Sequence, residues 1–249
     1  MTYTTNEMMT VAAARALPNN ITCFVGIGLP SAACNLAKAM QASDAVLIYE
    51  SGTIGANPTT LPLSIGDEEL VDTADAVVSV PDIFRYWLQG GRIDMGFLGA
   101  AQVDRFGNIN STVIGSYENI KVRLPGSGGA SEIATLAKEV LIVVKQSKRS
   151  FVKELDFLTS SGSINPETIK NSANNVGIGA QAIITDLGIM TPSSPSKEFE
   201  LVKTYPGVTI DQVKENTGWD LKIAEKVTEE LSPTQKELTI LRNLSRTFS

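Results

Sequence analysis

Six short apolar runs, spaced by segments of helical pattern, constrain this chain more than any other feature. They are "ITCFVGIG" (21–28), "AVLIYE" (45–50), "AVVSV" (76–80), "MGFLGAAQV" (95–103), "VLIVVK" (140–145) and "AIITDLGIM" (182–190). Each is rich in Val and Ile and continuous rather than alternating, the pattern of strands covered on both faces. Between them lie "PSAACNLAKAM", with Pro30 at its helical start, and "PDIFRYWLQGG", opened by Pro81 and closed by Gly90 and Gly91. "ASEIATLAKE" is a third such segment. Strands alternating with helices predict an α/β fold, an open, mostly parallel sheet with helices on both faces. "VDRFGNINSTVIG" departs from the pattern, since Asp104 to Gly107 read as a tight turn into an antiparallel strand. "TPSSPSKE" (191–198) reads as a loop, and "VTIDQVKENTGW" and the charged stretch from Pro233 as surface helices. No repeat and no Gly/Ser-rich or Pro-rich linker divides the chain. The expectation is one domain over residues 1–249, with a short N-terminal helix and a helical tail from about residue 220.

Composition narrows the function classes. Apolar residues make up 43% and charged residues 19%, enough to cover a globular core. A net charge of −6 without a basic cluster argues against nucleic acid and anionic membranes as partners. No apolar stretch reaches the roughly 18 residues of a membrane span, and the N-terminus lacks a basic-then-apolar signal pattern. Cys23 and Cys34 sit in apolar surroundings without C-x-x-C spacing, which predicts small core residues of a reduced, cytoplasmic protein. There is no histidine, so Ser–His and Cys–His nucleophile pairs and histidine metal sites are excluded. Acid–base or covalent chemistry falls to carboxylates, Lys, Tyr, Ser or Cys.

"LIYESGTIGANP" (47–58) places Glu50 at the tip of an apolar strand, followed by small turn-forming residues. In an open α/β sheet, ligands bind beyond the carboxyl ends of the strands. Three glycine-bearing stretches fall at such ends: "GIGLPS" (26–31), "GTIGANP" (52–58) and "PGSGGAS" (125–131). Each brings backbone N–H groups within reach of a ligand, and consecutive N–H groups at a helix start suit an anion or oxyanion. Glu50 has three readings. Gly26, Gly28 and Ser31 imitate a dinucleotide fingerprint, with Glu50 about 20 residues on as the ribose acid. Alternatively, Glu50 is a nucleophile towards an activated carbonyl, sharpened by partial desolvation. The third reading is a structural ion pair with Arg92 or Arg123. Structural readings stand beside the functional ones elsewhere too. Gly128 and Gly129 could simply open a helix, and Asn108 and Asn110 could be turn residues near Gly107. Trp87 and Trp219 suit packing or an interface, and Lys145 and Arg149 suit a solvated strand exit.

Taken together, "VGIGLPSAACNLAK", "YESGTIGANP", "FLGAAQVDRFGNINSTVIG", "LPGSGGASEIA" and "ITDLGIM…YPGVTIDQVKENTG" resemble the β subunit of family I coenzyme A transferases, most closely the glutaconate CoA-transferase B type. The resemblance runs in family order over residues 21 to about 218. It implies a CoA-transferase-like fold (NagB/RpiA-type superfamily) and a ping-pong reaction in which Glu50 becomes an acyl-glutamyl anhydride and then a glutamyl-CoA thioester. It implies Gly128 or Gly129 as the oxyanion donor and Asn110, in the N-x-N segment with Asn108, as a group at the reacting centre. Gly52 would belong to the oxyanion and substrate site, and Gly26, Gly28 and Ser51 to the CoA or active-site loops. No metal and no dissociable cofactor is implied, CoA being a substrate. An A-type (α) subunit is the implied partner, in an A2B2 heterotetramer, with an acyl-CoA and a carboxylic acid as substrates. Relatives of the same fold suggest acyl-CoA hydrolase or decarboxylase chemistry as alternatives, or a small-molecule-sensing module without turnover.

Overall fold

The computed structural model describes residues 2–163 and 177–245. The chain begins with α1 (Thr5–Arg15), β1 (Thr22–Val25), α2 (Leu29–Met40), β2 (Val46–Tyr49), β3 (Thr53–Ile54), α3 (Glu68–Asp72) and β4 (Ala76–Val77). A short α4 (Val80–Asp82) runs on into a π-helical segment, Ile83–Leu88. Then come β5 (Met95–Gly99), β6 (Gln102–Val103), β7 (Ile109–Asn110), β8 (Val113–Ser116), β9 (Asn119–Arg123), α5 (Ala130–Leu136) and β10 (Glu139–Val143). The last described part holds β11 (Ala180–Ile184), β12 (Gly188–Pro192), β13 (Phe199–Thr204), α6 (Ile210–Glu215), β14 (Lys222–Glu229) and α7 (Gln235–Leu244).

Ten strands form one sheet in the order β14-β13-β12-β11-β10-β5-β1-β2-β3-β4. Its centre, β2-β1-β5-β10-β11, is parallel throughout, and antiparallel pairs appear towards both edges. The chain reverses direction across the sheet between β1 and β5, where an open α/β sheet leaves its ligand crevice. Side chains alternate faces along each strand. Cys23, Val25, Leu47 and Tyr49 therefore enter the core shared with α1, α2 and α7, while Phe24 and Ile48 enter the core shared with α5 and the π-helical segment. By the same alternation Glu50 follows Ile48 to the α5 side.

Local chemistry explains the helix boundaries. Thr4 and Glu7 form a capping box at α1, Thr234 and Glu237 another at α7, and Pro30 stands in the first turn of α2. Four expectations need correction. The run 76–80, read as a strand covered on both faces, holds only β4, which is exposed at the sheet edge and antiparallel to β3, while Val80 already opens α4. The run 182–190 belongs to two antiparallel strands, β11 and β12, because Thr185 to Leu187 make a turn inside it. The run 95–103 also divides, since β6 leaves the main sheet to pair with β7. The predicted helical tail from about 220 starts instead as β14, which lies parallel to β13 at the sheet edge. As an edge strand β14 carries exposed charged residues, so its sequence lacks the apolar run that marked the inner strands.

Candidate active site

Glu50 leaves the end of β2 half-buried, and its Oε1 accepts a hydrogen bond from the backbone N–H of Gly129 at 3.0 Å. Gly129 caps the start of α5, so the carboxylate meets the electropositive end of a backbone turn. A Cβ added to Gly128, whose φ is +47°, would lie 3.5 Å from Glu50 Oε1. The "PGSGGAS" loop thus lies against the carboxylate. A Cβ on Gly129 would come 2.5 Å from Cζ of Phe84, so the ring packs closely against the glycine that donates to Glu50. Phe84 in turn packs on Phe24, with ring centroids 5.8 Å apart. Nothing in the local sequence marked Phe84, because its contact with residue 129 forms only when helix and loop meet.

Among the described residues Glu50 forms no ion pair. The structural reading with Arg92 or Arg123 is therefore not the arrangement found, and Arg123 lies over the Tyr117 ring instead. Against the ribose reading, the carboxylate is engaged by the Gly129 N–H at the start of α5.

The other residues singled out from the sequence divide by what their groups already bond. Gly52 has φ +105°, and a Cβ there would stand 2.0 Å from the Val78 carbonyl oxygen, so only glycine fits. Its N–H donates to the Tyr49 carbonyl at 3.0 Å, which makes Gly52 the pivot of the turn behind Glu50 and leaves no donor for an oxyanion. Ser51 Oγ is buried without a partner among the described residues. Gly26 brings β1 close to β5, since a Cβ there would lie 3.3 Å from the Phe97 carbonyl oxygen. Gly28 adopts φ +85° at the N-cap of α2.

Asn110 is not turned free towards Glu50. Its Nδ2 donates to Gln102 Oε1 at 2.7 Å and to the Val113 carbonyl at 2.6 Å, and its Oδ1 accepts from Thr112 N–H at 2.9 Å. The same turn reaches the glycine loop, for Ser111 Oγ donates to the Gly126 carbonyl and Gly126 N–H donates back to the Ser111 carbonyl, both at 2.9 Å. Asn110 thereby stiffens the support of the loop that holds Gly129. Asn108 is committed as well, to Asp104 and to the N–H of Gly162. Lys145 and Arg149 line a cavity of about 900 Å³ at the carboxyl ends of β5 and β10, together with Pro30, Ala100, Gln102 and Leu124.

A coenzyme A transferase family model matches residues 6–216, and that span covers most of the chain. The chain belongs to the coenzyme A transferase family. Among its relatives, the B-type subunit of 3-oxoadipate CoA-transferase of Pseudomonas knackmussii is 62% identical over 97% of this chain and 93% of that protein. The B-type subunit of glutaconate CoA-transferase of Acidaminococcus fermentans is 34% identical over 90% of this chain and 86% of that one. The crystal structure of glutaconate CoA-transferase from the same organism superposes with a TM-score of 0.87 at 33% identity, covering 98% of this chain and 95% of its counterpart. The resemblance read from the motifs and the α/β architecture both hold, and the chain is a CoA-transferase.

A carboxylate and a backbone N–H thus meet in one hydrogen bond at the tip of β2, an arrangement able to orient the carboxylate towards an activated carbonyl. No helix among the described residues is long and apolar enough to cross a membrane.

Proposed function

We propose that this chain is the B-type subunit of a heteromeric CoA-transferase in which Glu50 carries CoA between an acyl-CoA and a free carboxylic acid. One observation bears most of the weight. The Glu50 carboxylate stands at the strand tip held by the Gly129 N–H and neutralised by no cation among the described residues. A carboxylate so held is oriented yet keeps its nucleophilic electron pairs, whereas a lysine or arginine partner would quench them.

In this reading a Glu50 oxygen attacks the thioester carbonyl, the C–S bond breaks, and CoA leaves as thiolate from a mixed anhydride. The thiolate then attacks the Glu50 carbonyl carbon and expels the donor acid as its carboxylate, leaving glutamyl-CoA. The acceptor carboxylate attacks that thioester and releases the thiolate again. Attack of the thiolate on the new acyl group yields the product acyl-CoA and restores the Glu50 carboxylate. Two of these four additions take place at Glu50's own carbon, and the Gly129 N–H is placed to donate to its oxygen as charge gathers there. The mostly apolar cavity of about 900 Å³ suits the arm of CoA, with Lys145 and Arg149 for its phosphates. Ser51 Oγ, buried and without a partner among the described residues, is a further group for substrate.

The acid follows from likeness. The 62% identity to the B-type chain of a 3-oxoadipate CoA-transferase supports 3-oxoadipate, a dicarboxylic 3-oxo acid, as the substrate acid. The partner is an A-type subunit, in an A2B2 assembly, and the free buried thiols of Cys23 and Cys34 suit the reducing cytoplasm. The test is an intact mass of the chain, co-purified with its A-type partner, after incubation with 3-oxoadipyl-CoA or succinyl-CoA and no acceptor. A CoA adduct on Glu50 that vanishes when free acid is added supports transfer. Consumption of acyl-CoA without an adduct would assign Glu50 to activating water, and Glu50→Ala binding measurements would then separate a hydrolase from a sensor.

A further inference from the structure

The hydroxyl of Tyr49 takes no part in the chemistry above, yet it is buried at the residue before the nucleophile. Tyr49 is fully buried, its oxygen is 3.1 Å from Ser31 Oγ, and it accepts from Asn35 Nδ2 at 3.0 Å. Asn35 Nδ2 also donates to the Ser31 carbonyl at 2.8 Å, while its Oδ1 is buried without a partner among the described residues. A phenol in an apolar core costs free energy that phenylalanine would not, unless its bonds compensate.

Two boundaries of the site meet in this cluster. Tyr49 ends β2, and its carbonyl accepts from Gly52 N–H at 3.0 Å, so the turn that presents Glu50 starts on it. Ser31 lies in the first turn of α2, directly after Pro30, which lines the large cavity. The Tyr49 side chain points into the core beneath α2 and the Glu50 side chain towards α5. We propose that Tyr49 is a positioning residue for acyl transfer, its hydroxyl fixing the first turn of α2 against the strand tip that carries Glu50 through Ser31 and Asn35. It acts through the backbone, and its effect on rate is geometric, because displacing a nucleophile by a fraction of an ångström spoils the attack on a bound carbonyl. Burial pushes the phenol pKa up to about 12, so Tyr49 stays neutral and exchanges no proton during turnover. The inference rests on Glu50 being the nucleophile.

The experiment compares Tyr49→Phe, Ser31→Ala and Glu50→Gln in the complex with the A-type subunit. Tyr49→Phe is expected to lower kcat about tenfold, with KM for acyl-CoA within about twofold and the pH profile unmoved. Formation of the CoA adduct on Glu50 should slow by the same factor. Ser31→Ala should reproduce the loss, and the double variant should lose little more. Should Tyr49→Phe fail to give a folded complex, Ser31→Ala, which removes a single oxygen, carries the same criterion. An inactive Glu50→Gln beside a Tyr49→Phe within about twofold of the parent kcat per folded complex would overturn this inference alone. Turnover retained by Glu50→Gln would bring down the nucleophile reading and this inference with it.

Discussion

At the scale of single residues, the site depends on where glycine is compulsory. Gly52 combines φ +105° with a Val78 carbonyl oxygen that would stand 2.0 Å from any Cβ. Gly52→Ala should therefore cost about 2 kcal/mol or more of stability, read from urea unfolding, and should lower activity by displacing Glu50. Gly129 is different, since the obstacle there is the edge of the Phe84 ring at 2.5 Å rather than backbone. Gly129→Ala should fold, but with the ring pushed aside and the N–H re-aimed, so kcat should fall about 10- to 100-fold. Gly129→Ala combined with Phe84→Leu, which leaves room for the methyl group, should recover part of that loss. Full activity in Gly129→Ala would show that its N–H has no part in transfer.

Among the elements, the two ends of the chain are fastened by charge. Arg15 at the end of α1 bonds Glu230 and Glu237 at 3.1 and 2.8 Å, and Lys203 reaches Glu230 at 2.6 Å. Burial works against ionisation of both glutamates, but the Arg15, Lys203 and backbone hydrogen bonds outweigh it and hold their pKa values below the ordinary 4.5. A carboxylate whose pKa is depressed on folding stabilises the fold fully above its unfolded value and loses that contribution as the pH falls through the folded one. The thermal midpoint should therefore drop below about pH 4.5. Arg15→Met should cost roughly 2 kcal/mol at pH 7, or about 4–8 °C, and much less at pH 3. An equal cost at both pH values would mean that Arg15 acts by packing alone. Deeper in, Cys23 and Cys34 lie 3.8 Å apart between β1 and α2, and burial raises the Cys34 thiol well above its usual pKa. Neither thiol should react with a thiol reagent at pH 8 until the protein unfolds.

Across the whole molecule, the strongest expectation is dependence on a second subunit. The chain purified alone should transfer no CoA, and adding the A-type subunit should restore turnover and give a native mass of two A-type and two B-type chains. Full activity of the isolated chain would refute the heteromer. Much of this molecule was legible before any fold was known. The continuous Val- and Ile-rich runs marked the central strands, because residues covered on both faces have no polar side to show. "YESG" with its following glycines marked Glu50, because a strand tip and a tight turn are local facts. The outer strands were not legible in the same way. β14 is half in water and its charges imitate a helix, while β11 and β12 share one apolar run that only the Thr185 turn divides. The partners of the site residues were hidden for a related reason. Whether Glu50 met an arginine or the Gly129 N–H, whether Asn110 faced substrate or its own turn, and where Phe84 and the Tyr49 hydroxyl came to rest depended on contacts between residues far apart in the chain. The sequence by itself determined the strand–helix alternation, the placing of Glu50 at a strand tip and the family. Only the tertiary structure decided which group each of those residues would bond, since periodicity and turn chemistry act over a few residues and a hydrogen bond across 79 positions has no local signature.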